Sequence, residues 1–194
     1  MHGSDLNFYL TYKKNQIDAI KIYLHLSSGF LNYISMKIGV ISDTHGYIQP
    51  AVFNIFSDVD LILHAGDIGN EDVITALETL APVKAIHGNV DVFPILSKYP
   101  ETLTLELKGV SIFMIHQFIG LYKPEIQRAR EVFSKKRIDV LIFGHTHQAK
   151  IENKDQTLLL NPGAAGKPRF TLKPSVGLLY INNERNIHAE ICYL

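Results

Sequence analysis

From Met36 onward the chain alternates between short apolar runs and polar segments. Five runs stand out: Lys37–Ser42 (KIGVIS), Val59–Ala65 (VDLILHA), Val83–Gly88 (VKAIHG), Val110–His116 (VSIFMIH) and Asp139–Gly144 (DVLIFG). Each is rich in β-branched or aromatic residues and most end in a polar, glycine-containing loop, as strands buried on both faces do. Helical spacing appears between them. Glu71–Leu80 places apolar residues near a 3.6 period and stops before Pro82. Pro124–Lys136 opens with proline, carries Glu125 in its first turn and closes on lysines, an arrangement that suits the helix dipole. Gln49–Val59 has a fainter helical spacing.

The last third changes character. Gln148–Asn161 reads as two strands around a turn at Asn153–Asp155, and Val176–Leu194 as a hairpin turning at Asn182–Asn186. The strand–helix alternation followed by hairpins predicts an α/β fold in which a βα part precedes a mainly antiparallel part. Residues 1–35 do not share this rhythm. Lys21 and His25 interrupt their apolar stretch, so it is too broken for a membrane span, and no A-x-A-like cleavage site follows it. The expected organisation is an N-terminal extension over 1–35, read as upstream sequence from a mis-assigned start with Met36 as the natural one, and a single domain over 36–194.

Composition narrows the partners. Nineteen basic residues balance nineteen acidic ones, so nothing favours duplex nucleic acid. A single cysteine, Cys192, excludes an intrachain disulfide framework or a Cys-rich zinc site and fits a reducing, cytoplasmic setting.

The chemistry lies at the strand ends. The first run is followed by Asp43-Thr44-His45-Gly46, the second by Gly66-Asp67-Ile68-Gly69, and the third leads into Gly88-Asn89-Val90-Asp91. The fourth ends in His116, and the fifth meets Gly144-His145-Thr146-His147. In α/β sheets, sites form at the carboxyl ends of parallel strands. The residues gathered there offer carboxylate, amide and imidazole ligands suited to divalent metals. Taken singly each has a plain structural reading: Asp43, Asp67 and Asn89 as turn or cap residues, His116 as a core histidine. His64 and His87 fit packing or hydrogen bonding behind the motifs, and Asp91 a loop-orienting role.

As a set, D-T-H-G, G-D, G-N-x-D, H and G-H-T-H resemble the calcineurin-like metallophosphoesterase superfamily. Together with Asn161–Arg169 (NPGAAGKPR), they resemble its small prokaryotic phosphodiesterase branch, related to the metallophosphoesterase-like subunit of retromer. The resemblance implies a four-layer α/β/β/α sandwich of two mixed sheets flanked by helices. It implies one metal held by Asp43, His45, Asp67 and His147 and a second held by Asp67, Asn89, His116 and His145, with Asp67 bridging. Mn²⁺ is favoured, with Fe²⁺, Zn²⁺ or Ni²⁺ as alternatives. A metal-bound hydroxide, with Asp67 and Asn89 as the catalytic side chains, would then attack phosphorus.

The motif also departs from the family. Where many members carry a histidine after G-N, this chain has Val90, which cannot move a proton. A general acid contributes about 10²–10⁴-fold, so diesters or esters with good leaving groups are favoured. Gln117 replaces a glycine and Ala164 a serine. Asn89, Gln117 and Arg169 are the expected substrate contacts. The expected partner is a small phosphodiester, with no membrane and no duplex nucleic acid, and with a homo-oligomer left open. The competing function is a non-catalytic scaffold of the same fold, disfavoured because all seven ligand positions are filled.

Overall fold

The computed structural model describes residues 35–118, 137–154, 156–168 and 171–194. The predicted helix over Pro124–Lys136, the turn residue Asp155, Arg169 and residues 1–34 lie outside these.

The described residues form two five-stranded mixed sheets. The first has the order β10-β9-β1-β2-β3 and the second β4-β5-β6-β8-β7. The first contains β1 (Met36–Ile41), β2 (Leu61–Ala65), β3 (Val83–Ile86), β9 (Ser175–Ile181) and β10 (Ile187–Tyr193). The second contains β4 (Thr102–Leu107), β5 (Val110–Ile115), β6 (Val140–Ile142), β7 (Lys150–Lys154) and β8 (Thr157–Asn161). All five predicted apolar runs are strands, and they pair in parallel within their own sheets, β1 with β2 and β2 with β3, β5 with β6.

Period-two alternation sorts side chains between layers. Ile38, Val40, Leu61, Leu63 and Ala65 face the second sheet and meet Ile112, Met114, Val140, Ile142 and Leu160 in the central core. Ile41 and Ile62 face the other way, onto α1 (Ala51–Ile55), α2 (Glu71–Glu78) and α3 (Ile95–Lys98), where Val52, Phe56, Val73, Leu77 and Ile95 pack. The α1 segment lies so close to the sheet that a Cβ on Gly39 would stand 2.9 Å from the Phe56 ring. Each fully buried branched side chain contributes about 1.5–3 kcal/mol. The outer face of the second sheet carries a separate apolar cluster of Phe113, Ile115, Ile138, Leu141, Phe143 and Leu159. Among the described residues, no helix is long and apolar enough to cross a membrane.

Two details differ from the sequence reading. The alternating stretch TLTLEL is a strand, β4, that the run-based reading passed over. Its leucines Leu103, Leu105 and Leu107 pack on the central core while Thr104 and Glu106 are exposed. It joins β5 through a two-residue turn in which both Lys108 and Gly109 have positive φ, the geometry usually signalled by Asn-Gly. The C-terminal hairpins both form, but they are split between the sheets. β8 runs parallel to β6, and β9 runs antiparallel to β1.

Candidate metal centre

Strands β1, β2, β3, β5 and β6 deliver Asp43, Asp67, Asn89, His116 and His145 to one edge of the sandwich. Backbone hydrogen bonds tie the loops there: Asp43 N donates to the Gly66 carbonyl, His45 N to Asp67, and Gly144 N to His116. The backbone itself is unusual. Eight described non-glycine residues have positive φ, and five of them are Asp43, His45, Asp67, His145 and His147. The other three, Lys108, Gln156 and Arg185, lie in hairpin turns. Left-handed conformations cost on the order of 1 kcal/mol or more, and they persist where surrounding structure enforces them, commonly at functional sites.

The side chains fall into two groups of ligand atoms, Asp43 with His45 and His147, and Asp43 with Asp67 and His116. Asp43 is fully buried and its Oδ2 accepts from His145 N at 3.1 Å. Its Oδ1 lies 3.1 Å from His147 Nε2 and 3.9 Å from His116 Nε2, yet has no aligned hydrogen bond. His116 Nε2 is also without a hydrogen-bond partner, although Asp67 Oδ2 is 3.2 Å away. Within each of the two groups the ligand atoms lie within 4.8 Å of one another. Meanwhile His116 Nδ1 donates to the Ala65 carbonyl at 2.7 Å, which leaves Nε2 as the nitrogen available to a ligand. Clustered, buried carboxylate and imidazole atoms without hydrogen-bond partners fit divalent cations.

Asp67 faces both groups. Its Oδ2 lies 3.2 Å from His116 Nε2 and 4.0 Å from His45 Nε2, while its Oδ1 accepts from Val90 N at 3.2 Å. By ligand-atom distance, however, the carboxylate common to both groups is Asp43. His145 falls outside the two groups and stands beside Asn89, with Asn89 Oδ1 2.9 Å from His145 Nδ1. Gln117 joins them, its amide nitrogen 3.3 Å from His145 Nε2.

His145 and His147 diverge. Residues two apart on a regular strand would project to one side, but β6 ends at Ile142 and both histidines have positive φ. The His147 ring sits 5.3 Å from that of His45, and the His145 ring 5.6 Å from that of His116.

Electrostatics reflects the crowding. Burial works against the Asp67 carboxylate, but His116, the Val90 amide and His45 outweigh it and hold its pKa below the ordinary value. Burial likewise opposes a charged His116, yet Asp67, Asp43 and the Ala65 carbonyl raise its pKa. His145 is lowered, by burial first and then by His116. A cation entering this cluster competes with the proton that Asp67 and His116 stabilise.

The family relationship follows from residues matched along nearly the whole described fold: the calcineurin-like phosphoesterase superfamily domain matches residues 36–184. The chain belongs to that superfamily. This metallophosphoesterase is 42% identical over 161 residues to a probable metallophosphoesterase of Methanothermobacter thermautotrophicus, covering 80% of this chain and 91% of that protein. It is 30% identical over 173 residues to a phosphodiesterase of Methanocaldococcus jannaschii, covering 80% and 98%. In fold it is similar to a single mutant of Vps29 from Entamoeba histolytica, with a TM-score of 0.64 at 23% identity over 82% of this chain and 99% of that one. The α/β sandwich of two mixed sheets is thus the superfamily's, and the small branch is the one the motifs indicated.

Several residues that support the site carried little sequence signal. Asn161, fully buried at the end of β8, donates through Nδ2 to the Gly144 carbonyl and to Thr146 Oγ1, both at 3.0 Å. Its Oδ1 accepts from Gly163 N at 2.9 Å, so one amide braces the G-H-T-H loop against the N-P-G turn. Its place in NPGAAG was the only hint. Ala165 N and Gly166 N donate to the carbonyls of Ser42 and Asp43. Asp91 accepts from the amides of Ile68, Gly69 and Gly88, which laces the Asp67 and Asn89 loops together. Ala164 lines a small depression with His147, Lys167 and Lys173.

His64 lies beneath the site, fully buried. Gly66 N donates to its Nδ1 at 3.3 Å, so Nε2 carries the proton and donates to Thr44 Oγ1 at 2.9 Å. Burial, against the pull of Asp91 and Asp43, lowers its pKa from 6.5 to about 4. Between those values the unfolded chain binds a proton that the folded chain excludes. The stabilisation is therefore complete above pH 6.5 and is lost as pH falls towards 4. The loss from this residue is about 3 kcal/mol. In urea unfolding at pH 7, 5.5 and 4, His64→Gln is expected to show a shallower decline than the wild type; parallel declines would contradict the assignment.

Proposed function

We propose that this metallophosphoesterase hydrolyses phosphodiesters in the cytoplasm with two divalent cations, Mn²⁺ favoured over Fe²⁺, Zn²⁺ and Ni²⁺. Asp43, His45, Asp67 and His147 would hold one, and Asp67, Asn89, His116 and His145 the other. When bound, the cations supply Lewis acidity and an activated water as nucleophile. The carrying observation is that five of the seven ligand positions sit in left-handed backbone outside any hairpin turn, around two orphaned ligand atoms.

The chain's own residues orient this chemistry. The Ala65 carbonyl fixes the His116 tautomer, and the Val90 amide holds Asp67 in place. Asn89 turns its Oδ1 towards His145, and its Nδ2 is then the donor for a phosphoryl oxygen. Val90 is 53% exposed beside Asp67 and presents only hydrocarbon. No side chain at that position protonates a departing alkoxide, which favours diesters and good leaving groups. Gln117 and Arg169 complete the proposed substrate contacts.

Bis-p-nitrophenyl phosphate with each of the four cations is the test. Turnover with Mn²⁺ and two metal equivalents per chain by elemental analysis are expected. Buffer-level hydrolysis with all four overturns the enzyme in favour of the scaffold alternative.

A further inference from the structure

On the His147 side the metal centre borders the connection between β8 and β9. His147, whose Nε2 lies 3.1 Å from Asp43 Oδ1, also lines a small depression together with Lys167 and Lys173. The depression has a volume of about 10 Å³. One water needs roughly 10–15 Å³, so it admits a single small polar group such as one phosphate oxygen.

The backbone beneath both lysines is held. Gly166 N donates to the Asp43 carbonyl, and the Gly166 carbonyl accepts from Gln49 Nε2 at 3.3 Å. A Cβ at residue 166 would stand 2.6 Å from the Thr44 carbonyl oxygen, so the segment leading into Lys167 lies directly against the Asp43 loop. Beyond Lys173, the Pro174 carbonyl accepts from Leu194 N at 2.9 Å. Lys167 Nζ stands 5.7 Å from the centre of the ring of Tyr47, the residue that follows D-T-H-G.

Both lysines are exposed, and among the described residues neither forms an ion pair with a carboxylate. Pro168, Leu172 and Pro174 give the depression apolar walls, beside which a charge is attracted more strongly than in open water. Two bound divalent cations would outweigh the charges of Asp43 and Asp67, so the lysines would stand next to a positive centre. The scissile diester brings a single negative charge, which that centre absorbs. Two more cations at its rim call for a further anion, and the compact lysine ammonium is a common phosphate binder.

We propose that this depression binds a second phosphate carried on the alcohol arm of the substrate, with Lys167 and Lys173 as its specificity residues. The proposal rests on the phosphodiesterase reading above, and it narrows the substrate to diesters with a further anionic group on one arm.

A matched pair of esters tests it: ethyl p-nitrophenyl phosphate and 2-phosphonoethyl p-nitrophenyl phosphate, which share the scissile bond and leaving group and differ by one anionic group. The wild type with Mn²⁺ is expected to favour the phosphonate ester about tenfold in kcat/KM, and the preference should shrink as ionic strength rises from about 0.05 to about 0.5 M. Lys167→Ala with Lys173→Ala should bring the ratio close to one, and Lys167→Arg with Lys173→Arg should keep most of it. A wild-type ratio near one, or a ratio that the double alanine variant leaves in place, overturns the proposal and leaves phosphodiesterase activity intact. Titrated into metal-free protein and followed by the amide signals of Ala164 and Lys167, the phosphonate ester should bind the wild type more tightly than the double alanine variant. Equal dissociation constants for the two proteins overturn the proposal as well. Absence of turnover with every ester overturns the phosphodiesterase reading instead, and the metal-free titration then decides whether the lysines hold the anion.

Discussion

Asp67→Ala is expected to hydrolyse bis-p-nitrophenyl phosphate at less than about one thousandth of the wild-type rate, since a single electrostatic contact commonly contributes 10²–10³-fold and on the proposed reading this carboxylate would face both cations. Its Oδ2 faces His116 at 3.2 Å and His45 at 4.0 Å. Metal content should fall from two equivalents to one or none. The fold should survive, because the lost contacts are the Val90 amide at 3.2 Å and the imidazoles, at the edge of the sandwich and outside its apolar layers. Circular dichroism and a cooperative urea transition would check this. Retention of both metal equivalents in a folded Asp67→Ala protein would refute the bridging role and shift it to Asp43, the carboxylate common to both groups by distance.

Gly88→Ala is expected to damage the site strongly with a single methyl group. A Cβ at residue 88 would overlap Asp67 Oδ1 and the Asp67 backbone nitrogen, with Asp67 Cγ 2.8 Å away. The glycine is required for space, since the chain leaving β3 passes directly against the loop that leaves β2. Neither loop can retreat easily. Gly88 N donates to Asp91, and Asp91 also holds the amides of Ile68 and Gly69. Overpacking against backbone costs about 1–3 kcal/mol or more, so the midpoint of urea unfolding should drop visibly and metal uptake should weaken with it. An unchanged midpoint with full metal uptake would show that the two loops are looser than their hydrogen bonds indicate. Gly144→Ala provides a contrast. Its Cβ would meet side-chain atoms, Ser42 Oγ and Asp43 Oδ2 among them, which can turn away at the expense of metal geometry more than of stability.

The strands were readable where burial is two-sided, because a run such as Leu61–Ala65 has no exposed position to dilute its signal. β4 was missed for the opposite reason. It is an edge strand with one wet face, so its evidence is alternation, and its turn is Lys-Gly in place of a stronger hairpin pair. The ligand types were readable because each directly follows a strand end, and local order along the chain survives folding. The supporting residues were less so. Asn161, His64 and Asp91 act across 15 or more residues of sequence, through contacts that exist only once β6 lies beside β8 and β1 beside β2.

The sequence by itself determined most of the strands, the candidate oxygen and nitrogen ligands, and the superfamily, because those depend on side-chain periodicity and on short fixed spacings. Only the tertiary structure decided how the ligands divide. His145 and His147 are two residues apart, and a straight strand would have aimed them together. Left-handed backbone at both positions, braced by Asn161, turns one ring towards His116 and the other towards His45. That separation is a property of loop dihedrals enforced from a distant strand, which no local pattern around the histidines encodes.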